Sequence, residues 1–133
     1  MANQLFVSAR QSFLTGGFDW TSANLKMAIL DTTYVFDENQ EFVDEVPGAS
    51  IVQVEDLTNP TAIDGFANAD SLQFDNVVAG NQIAYLIIYD DTGVPATSRL
   101  LAYFDTVTGL PTDASGQNFV IFPDALFGGY FRL

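Results

Sequence analysis

Residues 83–89 read Ile-Ala-Tyr-Leu-Ile-Ile-Tyr, and this nearly continuous apolar run constrains the fold more than any other part of the chain. A run of this length, rich in β-branched and aromatic side chains, has the dimensions of a β-strand. Polar residues do not alternate along it, as they would in a strand with one face in water. The run therefore predicts a central strand that is covered on both faces.

Turn residues and a second apolar run after this strand predict a hairpin. Asp91-Thr92-Gly93 supplies the turn, and residues 99–105 return as the second strand. Elsewhere, short apolar runs separated by Gly, Asn and Pro predict further strands. These are residues 25–31, 51–57, 63–67, 72–74, 119–122 and 130–133.

One helix is predicted, over residues 3–14. Asn3 is its expected N-cap, and Gly16 ends it. A short acidic helical turn is also expected within residues 37–46. The partly apolar face of the helix is assigned to Phe6, Ala9, Phe13 and Leu14.

Length and composition predict a packed core. The chain has 133 residues, 48% of them hydrophobic, and this size suffices to fold without the disulfides that a cysteine-free sequence cannot form. Many short strands with frequent turns predict a mainly β fold, an antiparallel β-sandwich or open barrel with one N-terminal α-helix. No repeat or linker divides the sequence, so residues 1–133 are expected to form a single β-rich domain.

The charge balance and the missing residue types limit the function. Seventeen acidic residues face four basic ones, giving a net charge of -13, and the four are scattered as Arg10, Lys26, Arg99 and Arg132. Nucleic-acid and anionic-membrane binding are therefore not expected, because a phosphate footprint needs clustered cations. The absence of His and Cys excludes thiol nucleophiles, structural zinc and Ser-His-Asp triads.

These exclusions favour a protein that binds other protein surfaces. We expect no enzymatic activity, no cofactor and no metal. The sequence shows no cleaved signal peptide and no apolar run long enough to span a membrane, so a soluble chain is expected.

Asp91-Thr92-Gly93 also matches the active-site turn of aspartic proteases, in which two such carboxylates share one proton. An ordinary hairpin turn is the favoured interpretation, because Val94-Pro95 follows in place of a small residue.

The acidic stretch at residues 37–41 begins like a calcium-binding loop. Phe42 stands where that loop needs a glycine, so a solvated acidic loop is favoured. Loose binding of a divalent cation by this loop, or by Asp90 and Asp91 with Asp105, stays a hypothesis.

Aromatic side chains offer two kinds of contact. Six of them could form a sugar-binding or protein-contact platform: Trp20, Tyr34, Tyr85, Tyr89, Tyr103 and Tyr130. For those that lie inside predicted strands, packing in the core is favoured over such a platform.

The C-terminal residues 127–133 are rich in aromatics and follow a Gly-Gly pair, so they either close a sheet within the domain or dock on a neighbour. Closing a sheet is favoured. Chain termini can reach a partner while the core stays closed, so we predict partner contacts at both ends. The predicted contact residues are Leu5, Phe6, Phe127, Tyr130 and Phe131.

Two stretches of the sequence carry a family resemblance. The first is residues 2–14, followed by Gly-Gly-Phe-Asp-Trp at 16–20 and by residues 25–31. The second runs from Leu-Ile-Ile-Tyr-Asp-Asp-Thr-Gly at 86–93 through residues 98–105 to Thr-Gly-Leu-Pro at 108–111. Together they resemble small virion structural proteins of tailed bacteriophages, of the capsid cement or decoration type.

This resemblance implies a non-enzymatic protein, made in the host cytoplasm and then present in many copies on the capsid surface. Its implied partner is the major capsid protein, whose shell it would bind from outside and stabilise, with further copies of itself beside it as a homo-oligomer. The resemblance transfers no functional residues, because the shared pattern marks fold positions. Two alternatives stay open: a tail, neck or fibre-base component, and a carbohydrate-binding surface module that stacks sugars on Trp20.

Overall fold

The computed structural model describes residues 4–77, 80, 82–105, 112–113, 116, 118–121 and 130–132. The helix is α1 (Val7–Thr15), and short 3-10 helices cover Val43–Glu45 and Gly48–Ser50. The strands are β1 (Gln4–Leu5), β2 (Leu25–Asp31), β3 (Ile51–Asp56), β4 (Thr61–Ile63), β5 (Phe66–Asn68), β6 (Leu72–Phe74), β7 (Gln82–Asp90), β8 (Arg99–Phe104), β9 (Thr112–Asp113), β10 (Phe119–Ile121) and β11 (Phe131–Arg132).

The strands form one large and two small sheets. The large sheet has the order β1-β8-β7-β2-β3, with β9 beside β7, and the small sheets are β10-β6 and β11-β5-β4. Every pairing is antiparallel. The predicted mainly β, antiparallel fold with one N-terminal helix is therefore confirmed.

Strand β7 is central, as its apolar run predicts. Its Ile87 lies opposite Ala28 of β2 on one edge and opposite Tyr103 of β8 on the other. Ile87 and its neighbour Ile88 are both completely buried, although their side chains point to opposite faces. Both faces of the large sheet are thus covered at this strand.

A single apolar core joins the three sheets in a sandwich-like arrangement. Phe74 and Ile121 from one small sheet and Ala67 from the other belong to the same buried cluster as the large sheet. Strand β2 is also buried on both faces at its centre, where consecutive residues from Met27 to Leu30 are fully covered.

The helix departs from its prediction at its start. It begins at Val7 and not at residue 3, and the N-cap is Phe6, which makes no side-chain capping bond. The reason is non-local. Residues Gln4 and Leu5 pair with β8, and the Phe6 N–H donates to the Leu101 carbonyl, so this backbone is already satisfied in an extended form.

The end of the helix is as expected. Gly16 has the left-handed conformation of a C-cap, with φ of 73°, and its backbone N–H bonds to the carbonyl of Ser12. The predicted apolar face is correct for the buried Ala9 but wrong for Leu14, whose side chain is 86% exposed.

The predicted strand at residues 63–67 is wrong, because the chain reverses within it. Asp64 and Gly65 have φ of 54° and 81° and form the two-residue turn of the β4–β5 hairpin, in which Ile63 lies opposite Phe66. Two consecutive positive φ angles define a type I′ turn, whose twist suits a hairpin. The other predicted strands are confirmed where the structure describes them, which excludes Phe122 and Leu133.

The acidic stretch forms its predicted helical turn at Val43–Glu45. The Glu45 carboxylate accepts the backbone N–H groups of Glu41 and Phe42 at 2.6 and 2.8 Å. Next to this turn, the Phe42 ring lies under the Arg99 guanidinium, with 5.3 Å between the guanidinium carbon and the ring centroid. The turn is thereby attached to the start of β8.

Candidate partner-binding surfaces

The N-terminal contact residues lie at the edge of the large sheet. Leu5 on β1 is half-buried opposite Ala102. Phe6 is completely buried, and its ring meets that of Phe36 edge-on, with 5.4 Å between centroids. Leu5 thus stays partly exposed while it packs against the core, whereas Phe6 anchors the segment and has no surface left for a partner.

Phe6 belongs to an aromatic cluster that covers one part of the large sheet. The Phe36 ring stacks on Tyr103 at 4.0 Å, and Tyr103 also meets Tyr34 and Tyr85 at 6.1 and 5.7 Å. Burial raises the pKa of the Tyr34 and Tyr103 hydroxyls. Tyr85 and Tyr103 pack with the core, as favoured from the sequence for strand residues, and Tyr34 and Phe36 pack there with them.

Trp20 is also a core residue. Its side chain is 4% exposed, and its indole Nε1–H donates to the Asn68 carbonyl at 2.9 Å. A sugar-binding platform needs an accessible ring face, which Trp20 does not present in this conformation.

The C-terminal strand closes a sheet within its own domain. In β11, Phe131 pairs with Ala67 of β5, and the Tyr130 N–H donates to the Ala67 carbonyl at 2.8 Å. The Tyr130 hydroxyl donates to the Asp70 carbonyl at 2.9 Å. Burial, with a smaller effect of the Asp70 charge, raises the pKa of Tyr130 to about 12. The favoured interpretation of the tail is thus confirmed for β11, while Phe127 lies outside the described residues.

The hairpin beside this strand supplies a surface that sequence reasoning missed. All three residues of β4 are exposed, with Ile63 at 67%. In the described part of the chain, β4 pairs on one side only, with β5. The sequence feature that predicts this hairpin is Asp64-Gly65, because Asp-Gly is typical of two-residue hairpin turns.

Asp91-Thr92-Gly93 begins the β7–β8 connection with a side-chain turn, and a backbone-bonded turn follows it, in which the Thr97 N–H donates to the Val94 carbonyl. The Asp91 carboxylate accepts the Gly93 N–H at 3.0 Å and the Ser98 hydroxyl at 3.4 Å, and its other oxygen lies 3.7 Å from the Lys26 ammonium. Lys26 also forms an ion pair with Asp56 at 2.9 Å. The carboxylate is therefore engaged in holding the hairpin, which confirms the favoured interpretation.

The acidic loop at residues 37–41 likewise uses its polar groups internally. The Asp37 carboxylate accepts the Asn39 N–H at 2.9 Å, and Glu38 pairs with Arg10 of α1 at 3.3 Å. Among the described residues, no three acidic side chains are grouped in a way that could hold a metal ion. Loose cation binding stays a hypothesis that these contacts do not support.

The described contact residues belong to different sheets. Leu5 is part of the large sheet, whereas Tyr130 and Phe131 belong with the β4–β5 hairpin. Exposed apolar side chains also occur on α1, at Val7 and Leu14, and on β4, at Ile63. The role of these residues in binding stays a prediction.

Comparison with known proteins adds no assignment. No protein-family model matches the chain, and no curated protein matches it significantly. Within the described ranges, no helix has the length and apolar character that crossing a membrane would require.

Proposed function

We propose that this chain is a non-enzymatic structural protein of a tailed-phage virion, of the capsid cement or decoration type. It binds the outside of the shell of major capsid protein and stabilises that shell. The sequence resemblance of residues 2–31 and 86–111 to such proteins is the source of this proposal. The same proposal locates the protein on the capsid surface, in many neighbouring copies.

One structural observation supports a binding role over catalysis. The polar motifs considered above as catalytic or metal sites are used by the fold itself: Asp91 holds a hairpin turn, and Asp37 and Glu38 hold the acidic loop. Meanwhile, β4 is exposed throughout and, among the described strands, pairs only with β5, so its outer edge around Ile63 is open. An open strand edge that carries an exposed apolar side chain suits contact with another protein surface.

The net charge of this chain predicts the charge of the surface that it binds on its partner. A protein with a net charge of -13 is attracted to a basic patch and repelled by an acidic one. We therefore expect the contacted face of the shell protein to be rich in Lys and Arg. Binding should weaken as salt screens this attraction.

The decisive experiment adds the purified protein to shells that lack it, counts bound copies by quantitative gel, and heats the complexes. We expect a copy number comparable with that of the major capsid protein and a higher disruption temperature. Ile63→Lys should reduce binding. Val94→Lys, which changes an exposed apolar residue in the β7–β8 turn, is the matched control.

Four results would count against the proposal. Shells that bind no protein would overturn it, and bound shells with unchanged heat resistance would remove the cementing role. A copy number far below that of the shell protein would favour a tail, neck or fibre-base location. Binding on a glycan array would favour the carbohydrate-binding alternative, against which the burial of Trp20 argues.

A further inference from the structure

Strand β4 carries backbone groups that point away from its sheet. Ile63 lies opposite Phe66 across a two-residue turn, so these two residues form the hydrogen-bonded pair that closes the hairpin. Alternation along an antiparallel pair then directs the N–H and C=O of Ala62 away from β5. On β5, the Ala67 carbonyl opposite Ala62 accepts the Tyr130 N–H, and so it also faces away from β4. Because β4 pairs only with β5 among the described strands, the backbone of Ala62 is open to a further strand.

The side chains of this edge leave room for such a strand. Thr61, Ala62 and Ile63 are all exposed, and none of them is charged. Sheets commonly protect an open edge with charged side chains, a bulge or a covering loop. Pro60, which has no N–H to donate, and the shortness of β4 limit the pairing to a short segment. Within that limit, an uncharged and exposed edge is a template for strand addition.

Carboxylates at both ends of the hairpin favour a basic segment. The exposed Asp64 lies in the turn. The exposed Asp70 lies at the base, where its carboxylate accepts the side-chain amide of Asn59 at 2.6 Å. Residues 27–98 contain no Lys or Arg, so the hairpin brings no cation of its own. A second copy with a net charge of -13 would be repelled, whereas a segment with Lys or Arg near its ends would be attracted.

We propose that β4 accepts an extended, basic segment of another protein, which adds as an outer strand beside it. Ala62 exchanges N–H and C=O bonds with this segment, and Ile63 contacts an apolar side chain in it. Lys or Arg near the ends of the segment lies close to Asp64 and Asp70. The inference rests on the proposed binding role of the β4 edge, and it adds the conformation and the charge of the segment that is bound.

Titration of the isotope-labelled full chain with synthetic peptides tests this recognition by NMR. The probe is a blocked peptide of about nine residues, with Val and Thr in its centre and Lys at both ends. Binding should shift the amide signal of Ala62 and slow its exchange with solvent, because this N–H gains an acceptor. A peptide with Glu in place of Lys should bind at least about 10-fold more weakly. A Lys peptide with an N-methylated central backbone should also bind weakly, because it cannot donate to Ala62.

Substitutions in the hairpin separate strand pairing from simple charge attraction. Ala62→Pro removes the outward N–H, leaves the Ile63–Phe66 pair in place, and should weaken peptide binding by about 5-fold or more. Ala62→Val keeps that N–H and is the matched control. Asp64→Asn removes a charge but keeps a residue suited to the turn, so it should weaken binding at low salt and have little effect at high salt. Melting followed by circular dichroism checks that each variant is folded.

The same variants on shells distinguish failure of this inference from failure of the proposed function. If shells bind the Ala62→Pro protein as well as they bind the unmodified protein, the inference is overturned and the shell role stands. If shells do not bind the unmodified protein but the Lys peptide still docks at β4, the shell role fails and the peptide recognition stands. Equal binding of the Lys, Glu and N-methylated peptides would overturn the inference. So would protection of the Ala62 amide by a second copy in the absence of peptide.

Discussion

Replacing Tyr130 with Phe should destabilise the protein at neutral pH and stabilise it in strong alkali. At pH 7 the variant loses the hydroxyl bond to the Asp70 carbonyl, at a cost of about 1 kcal/mol. In the unmodified protein the Tyr130 pKa is raised from 10.0 to about 12, so folding favours the neutral hydroxyl. This stabilisation is complete below pH 10 and is lost as pH rises from 10 towards 12.

The magnitude follows from the two pKa values. By pH 12 ionisation of this tyrosine favours the unfolded state by at most about 2 kcal/mol, because solvent around the partly exposed hydroxyl screens some of the effect; Phe carries no such penalty. This penalty equals the free energy of the lost hydrogen bond at about pH 11. Plots of unfolding free energy against pH for the two proteins should cross there. Burial also raises the pKa values of Tyr34, Tyr89 and Tyr103, but these groups are common to both proteins and cancel in the difference.

Urea unfolding at a series of pH values measures this difference, with the fluorescence of the single, buried Trp20 as the signal. The free energies of unfolding of the two proteins should converge and cross as pH rises. A constant difference between them from neutral pH to pH 12 would refute the reasoning. So would a Tyr130 hydroxyl that titrates near its ordinary value by difference absorbance. Either result would mean that the Tyr130 hydroxyl is not held against the Asp70 carbonyl.

Three further predictions test the core, the helix end and the indole contact by urea unfolding. Ile87→Ala should cost about 2–5 kcal/mol, because it leaves a cavity in the completely buried central strand. Gly16→Ala should cost about 1 kcal/mol because φ there is +73°, whereas the control Gly48→Ala, with open space and no positive φ, should be nearly neutral. Trp20→Phe should cost about 2 kcal/mol, since it removes both buried volume and the bond to the Asn68 carbonyl, and an unchanged stability would contradict this packing.

Several elements follow from local sequence alone. The run at residues 83–89 predicts a strand covered on both faces, because it has the length of a strand and lacks the alternating polar residues of a strand with one face in water. Gly16 ends the helix because only a residue without a Cβ adopts its left-handed conformation at little cost. Asp91-Thr92-Gly93 forms a local turn because the Asp91 carboxylate accepts the Gly93 N–H two residues along the chain.

Other features depended on distant partners. The local sequence predicts that residues 4–6 are helical, yet the structure holds them extended. The cause is their pairing with β8, which lies far along the chain. The candidate surfaces show the same limit. Apolar residues on a helix or strand can face either a core or a partner, so the sequence could not separate buried Phe6 from exposed Leu14.

The sequence by itself therefore determined the β class, the central strand, the acidity and the absence of His and Cys chemistry, all of which depend on composition or local pattern. The tertiary structure decided which apolar side chains stay in water. It covered Trp20 and Phe6 and attached the C-terminal strand to β5, while leaving Leu14 and Ile63 exposed. The physical reason is that burial is a property of the whole packed chain, since each side chain is covered by residues that the sequence places far away.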